Sequence, residues 1–184
     1  MHVREGDLIF FAGSRPLARL IRIVTFLIGG TARYNHVVVV VWNGPGGPIV
    51  HDCVNTIRVH PLSDYMEEIR SGRLRADVWR PTEGEMRHNH AVEALLSTYP
   101  EGTEYDVGRL LLGMFPSLGR AICSTSAGYY LEQRFARRTP YVNWKRREQG
   151  ERQDGNFLTV DALTRLREPK SKGGTPWLRY VGRL

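Results

Sequence analysis

A chain of 184 residues suits one domain with a substantial core, and no second globular unit is expected. Its 41% hydrophobic and 24% charged composition excludes a disordered or fibrous protein. The formal net charge of +7 favours anionic partners such as nucleic acid, phospholipid headgroups or bacterial cell wall, without choosing among them. The cations are almost all arginine, the lysines being Lys145, Lys170 and Lys172.

At the N-terminus, Met1 to Asp7 lacks the basic-then-apolar layout of a signal peptide. The most apolar segment, Leu17 to Ile28, is interrupted by Arg19 and Arg22 and falls short of the ~20 residues that a transmembrane helix needs. The expectation is therefore a protein that is cytoplasmic at synthesis and has no spanning helix. In a reducing compartment, Cys53 and Cys123 stay as thiols.

In chain order, Gly6-Asp7 is a turn before a short aromatic strand from Leu8, and Ser14-Arg15-Pro16 starts a helix that runs to about Leu27 before Gly29-Gly30. Tyr34-Asn35-His36 then leads into five valines, Val37 to Val41, and Trp42. Consecutive β-branched residues predict a strand buried on both faces. Asn43 to Pro48 can only be a turn, so Ile49 to Val54 returns as the second arm of a hairpin. His36 lies near the open end of one arm, with His51 and Asp52 on the other.

Thr56 to His60 alternates as a half-exposed strand, Pro61 to Tyr65 starts a short helix, and Asp77 to Pro81 reads as another strand. Glu83 to Tyr99 has helical spacing. Cys123 to Phe135 is a helix whose stripe is Ala127, Tyr130, Leu131 and Phe135. Residues 145–155 form a polar loop without interleaved aromatics, and its acidic residues dilute the positive charge, so no specific nucleic-acid partner is expected. Thr159 to Leu166 is a brief amphipathic helix. The chain divides into a domain over 1–168 and a linker and tail over 169–184. Trp177, Leu178, Tyr180 and Val181 suit that tail to an edge strand or a contact with an assembly partner.

Cys123 opens a predicted helix, where unpaired N–H groups and the positive end of the dipole favour a thiolate. A thiolate nucleophile needs an imidazole as base and a third polar group to fix that ring. His36 and the His51-Asp52 pair supply both. Cys53 sits mid-strand with no dipole to activate it.

These features resemble the NlpC/P60 superfamily of papain-like cysteine hydrolases in its circularly permuted branch, which contains YiiX-like proteins and lecithin:retinol acyltransferase-like enzymes. The resemblance rests on Gly6-Asp7-Leu8-Ile9-Phe10, Tyr34-Asn35-His36-Val37, Ile49-Val50-His51, Val59-His60-Pro61-Leu62, Tyr105-Asp106 and Cys123-Ser124, and it spans roughly residues 5 to 165. It implies a permuted α+β papain-like fold, with a mostly antiparallel sheet packed against helices, and no cofactor or metal. Cys123 becomes the nucleophile, His36 the general base and His51 the orienting residue. Asp52 fits that third place if the hairpin carries a one-residue bulge, because only one of the two neighbours faces His36 in a regular register. Tyr34 and Tyr105 would line the cleft, and the backbone N–H of Cys123 would serve the oxyanion.

The implied reaction is hydrolysis of an amide bond, with a peptidoglycan stem peptide or another anionic surface polymer as the leading partner. A lipid amidase or acyltransferase, using Leu17 to Ile28 as a membrane-facing helix, is the second enzymatic reading. A non-catalytic structural component, for example of a phage tail, is the alternative of another class. Valines replace the glycines that often follow the strand histidine in relatives, and Thr125 stands where an acidic residue is common.

Overall fold

The valine run lies in the middle of a sheet and feeds two cores at once. In the computed structural model, strand β2 (His36–Gly44) sends Val37, Val39 and Val41 into one hydrophobic cluster and Val38 and Val40 into another. All five are buried, which is why the run carries no polar residue. The model describes residues 2–14, 33–82, 88–104, 123–135, 160–164 and 176–184, with single positions 16, 18, 19 and 23. Apart from those four single positions, the expected helix over 16–27 lies outside these residues, as do the polar segment 145–155, Tyr105 and Asp106, and all but the last residue of the linker 169–176.

Around β2 stand β1 (Leu8–Gly13), β3 (Gly47–Cys53), β4 (Ile57–Pro61), β5 (Leu74–Pro81) and β6 (Leu178–Arg183), in the order β4-β3-β2-β1-β5-β6. Every neighbouring pair is antiparallel. The hairpin turn falls between Gly44 and Gly47, as Asn43 to Pro48 dictates, and Gly47 takes a φ of 95° there. β5 begins three residues earlier than the alternation suggests, since Leu74 and Ala76 also fill the sheet.

Four helices belong to the described residues: α1 (Met66–Arg70), following a 3-10 turn over Leu62–Tyr65, α2 (His88–Thr98), α3 (Cys123–Phe135) and α4 (Val160–Leu163). Helix α3 lays Ala127, Tyr130, Leu131 and Phe135 into the cluster formed by Val37, Val39 and Val41, joined by Ala91 and Leu95 of α2. The 3-10 turn and α1 cover the other face, where Leu62, Tyr65 and Ile69 meet Phe11, Val38 and Val40. The architecture is thus α+β, with an antiparallel sheet packed against helices. None of the helices among the described residues is long and apolar enough to cross a membrane.

The tail set apart in the sequence is built into the sheet. β6 pairs with β5 as an edge strand, and Trp177, 1% exposed, stacks on Phe135 with ring centroids 4.7 Å apart. Gly6-Asp7 also has a structural reason. Gly6 has a φ of 82°, and a Cβ there would lie 2.7 Å from the Tyr130 hydroxyl. Asp7 is fully buried and accepts from Arg80 Nε at 2.7 Å, Arg80 Nη2 at 2.8 Å and the Arg4 backbone N–H at 2.9 Å. Its charge is therefore paired and its oxygens are bonded, the condition for burying a carboxylate.

Candidate active site

The β2–β3 hairpin decides which polar residue meets His36. Near the turn, Gly44 pairs with Gly47, Asn43 with Pro48 and Trp42 with Ile49. Extended unbroken, that register would set His51 opposite Val40, on the face of His36. The pairing instead shifts between Val40 and Trp42, leaving Val41 as an extra residue, and resumes as Val40–Val50 and Val39–His51. One inserted residue exchanges the two faces of a strand for its partner. Asp52 consequently shares the face of Val38 and His36, while His51 turns to the opposite side.

His36 Nε2 and Asp52 Oδ1 are 2.6 Å apart. His51, expected to orient His36, instead directs Nε2 to the Tyr99 carbonyl oxygen at 3.0 Å and is 1% exposed. Burial lowers its pKa, against weaker opposition from that carbonyl and from Asp52, which favours the neutral ring. The bulge is the physical reason for the exchange, and Asp52 takes the position beside His36.

Cys123 is the first residue of the 13-residue helix α3, where backbone N–H groups lack intrahelical acceptors. Its side chain is within charge and hydrogen-bonding range of the His36 ring. Because Nε2 faces Asp52, Nδ1 is the nitrogen left to face the sulfur. Burial pulls the His36 pKa down, but the charges of Asp52 and Cys123 and their hydrogen bonds outweigh it and raise the pKa to about 10. The ring is therefore an imidazolium at neutral pH, suited to pairing with a thiolate.

Asp52 is 4% exposed, and burial pushes its carboxyl up. The His36 charge and hydrogen bonds from His36, His60 and Tyr65 win, holding it well below the usual carboxylate range. His60 Nε2 lies 3.2 Å from Asp52 Oδ2, the Tyr65 hydroxyl donates to the same oxygen, and His60 Nδ1 lies 2.9 Å from Asp64 Oδ2. The sequence reading missed His60 and Tyr65 at the site. Pairing of Asp52 with Arg58 puts His60 diagonally across from Asp52 on the same face, but the β3–β4 register that does so has no marker in the sequence.

Cys53, on the opposite face, is buried, and burial followed by the charges of Cys123 and Asp52 pushes its thiol far up. A buried thiol raised in this way is a poor nucleophile. Tyr34, expected in the cleft, is 1% exposed and donates to Asp77 Oδ2 at 2.8 Å. Asp77 also accepts from Arg33, Arg75 and Arg183, joining the loop before β2 to both β5 and β6. Asn35 Oδ1 receives the Gly13 backbone N–H at 2.7 Å. Tyr34 and Asn35 thus fix the segment that delivers His36.

An antiparallel α+β fold that presents a histidine–carboxylate pair beside a cysteine at a helix start is the class these residues define. The chain is similar in fold to the crystal structure of metalloprotein yiiX from Escherichia coli O157:H7, with a TM-score of 0.53 and 20% sequence identity, over 74% of this chain and 68% of that one. No family model and no curated protein sequence matches the chain. The site's donor set does not fit a metal ion. Both Asp52 oxygens and both His60 nitrogens are engaged within the protein, and no group of three or more His, Cys, Asp or Glu among the described residues is arranged to hold one.

Proposed function

We propose that the protein is a cysteine hydrolase of the circularly permuted papain-like kind, cleaving an amide bond through a thioester. The observation that carries this reading is the convergence of Cys123, at the start of α3, with a His36 ring whose far nitrogen is 2.6 Å from buried Asp52. In this reading Cys123 is the nucleophile, His36 the acid and base, and Asp52 holds the place first assigned to His51.

The Cys123 thiolate attacks the amide carbonyl carbon, and the developing oxyanion is met by the Cys123 backbone N–H. As the C–N bond breaks, the His36 imidazolium passes its Nδ1 proton to the departing amine, leaving a thioester and a neutral ring. Water then gives a proton to Nδ1 and attacks the thioester carbon. The C–S bond breaks, a carboxylic acid leaves, and the thiolate–imidazolium pair is restored.

The resemblance and the +7 charge favour peptidoglycan stem peptides as substrate. Incubation with purified cell walls followed by muropeptide analysis tests this. New stem-peptide termini with the wild type, absent with Cys123→Ala, are the expected result. Fatty acid released from acylated lipids, with muropeptides unchanged, would move the substrate to lipid. No Cys123-dependent product from either material would favour an assembly component.

A further inference from the structure

Asp52 carries more ligands than the pairing with His36 requires. A buried carboxylate presented to an imidazolium on one oxygen is free to turn about its χ2 axis unless its other oxygen is held. Here that oxygen receives two further groups from separate elements, His60 of β4 and Tyr65 of the 3-10 turn. We propose that His60 and Tyr65 are positioning residues for the Cys123–His36 pair: they act through Asp52, locking Oδ2 so that Oδ1 stays on His36 Nε2.

This inference rests on the hydrolase reading above. Three observations carry it. First, Tyr65 is itself held, packed against Phe11 at 4.7 Å and His60 at 5.6 Å between ring centroids. Phe11 in turn stacks on His36 at 6.0 Å with planes 12° apart. The four rings wall off the carboxylate and keep Asp52 dry, where each hydrogen bond is strong and an unmade one is costly.

Second, His60 has both nitrogens on carboxylates, Asp52 on one side and Asp64 on the other. Two acceptors require two N–H groups, so this geometry belongs to the imidazolium. The charged or titratable groups facing His60 are Asp52 of β3 and Asp64 and Tyr65 of the 3-10 turn, with His36 and Cys123 beyond Asp52. The Asp52 hydrogen bond, opposed by burial and helped by Asp64, raises the His60 pKa.

Third, burial and the Asp52 charge push the Tyr65 phenol up, so it stays a donor over the whole working range. Donors to an ionised carboxylate lower its pKa. Their loss lets Asp52 take up a proton at higher pH and gives His36 a partner that turns.

The test is the pH profile of Cys123 alkylation by iodoacetamide, read by intact mass on the full-length protein, with Cys123→Ala reporting labelling at Cys53. Tyr65→Phe and His60→Ala are expected to move the acid limb to higher pH and to slow labelling about tenfold at about pH 5. His60→Gln, whose carboxamide still donates to Asp52, is expected to recover most of that loss. Asp64→Asn changes a side chain that is 56% exposed, so the fold is kept, and it is expected to slow labelling about threefold. Wild-type profiles in Tyr65→Phe, His60→Ala and Asp64→Asn, beside a displaced profile in Asp52→Asn, would overturn the proposal and leave the hydrolase reading standing. If wild-type Cys123 labels no faster than in urea-unfolded protein, the hydrolase reading fails, and the positioning role with it.

Discussion

His36 Nε2 meets Asp52 Oδ1 at 2.6 Å because one valine, Val41, stands outside the pairing of β2 with β3. The bulge lies five residues from the histidine and has no polar atom in its side chain, yet it selects the histidine's partner. It also coincides with the point where β1 begins, since the Gly6 N–H donates to the Val40 carbonyl at 2.8 Å and the Val40 N–H to the Asp7 carbonyl at 2.9 Å. Gly6-Asp7 therefore bears on the site through the Val40 backbone.

The His36 pKa of about 10 makes stability depend on pH. In the unfolded chain His36 titrates near ~6.5, so the folded state binds its proton more tightly. This stabilisation is complete below about 6.5 and is lost as pH rises through about 10. Thermal melts of the wild type and His36→Gln should show a gap in Tm that narrows between about pH 7 and pH 10. A gap independent of pH would contradict the assignment.

Gly6→Ala should be strongly destabilising. The φ of 82° disfavours any L side chain, and the new Cβ would sit 2.7 Å from the hydroxyl of buried Tyr130. The expected loss is about 2–3 kcal/mol, measured by urea denaturation. Gly46→Ala, where nothing lies within 4 Å of the added carbon, serves as the control and should change stability by less than ~0.5 kcal/mol.

Trp177→Ala should destabilise by about 3–5 kcal/mol, since it removes a fully buried indole that packs on Phe135 at the far end of α3. Deletion of 177–184 should do more, because it also strips β6 from β5 and leaves an open sheet edge. Soluble, cooperative unfolding of that truncated protein, unchanged from the wild type, would show that the tail is dispensable.

Much of this was legible in the sequence. A valine run ending in Asn-Gly-Pro-Gly-Gly-Pro encodes a buried hairpin, and a cysteine ahead of Ala127, Tyr130, Leu131 and Phe135 encodes a helix with that cysteine at its N-terminus. The partner of His36 was not legible in the same way. Five identical residues carry no mark of which one is extra, so the regular register favoured His51, while the bulge that brings in Asp52 exists only in the pairing with β3. The same holds for His60 and Tyr65, whose arrival at Asp52 depends on the β3–β4 register and on the 3-10 turn after it. Tyr34, a cleft residue by the resemblance, lies just ahead of β2 and turns instead to the core, where its hydroxyl donates to Asp77.

The most direct test of the central claim is the rate of Cys123 alkylation by iodoacetamide at neutral pH in the wild type, Asp52→Asn and His51→Gln. The claim predicts labelling slowed about tenfold or more in Asp52→Asn, since one lost charge-assisted hydrogen bond is worth about 1.5–3 kcal/mol, and a rate within about twofold of wild type in His51→Gln. A slowed His51→Gln beside an unchanged Asp52→Asn would contradict it.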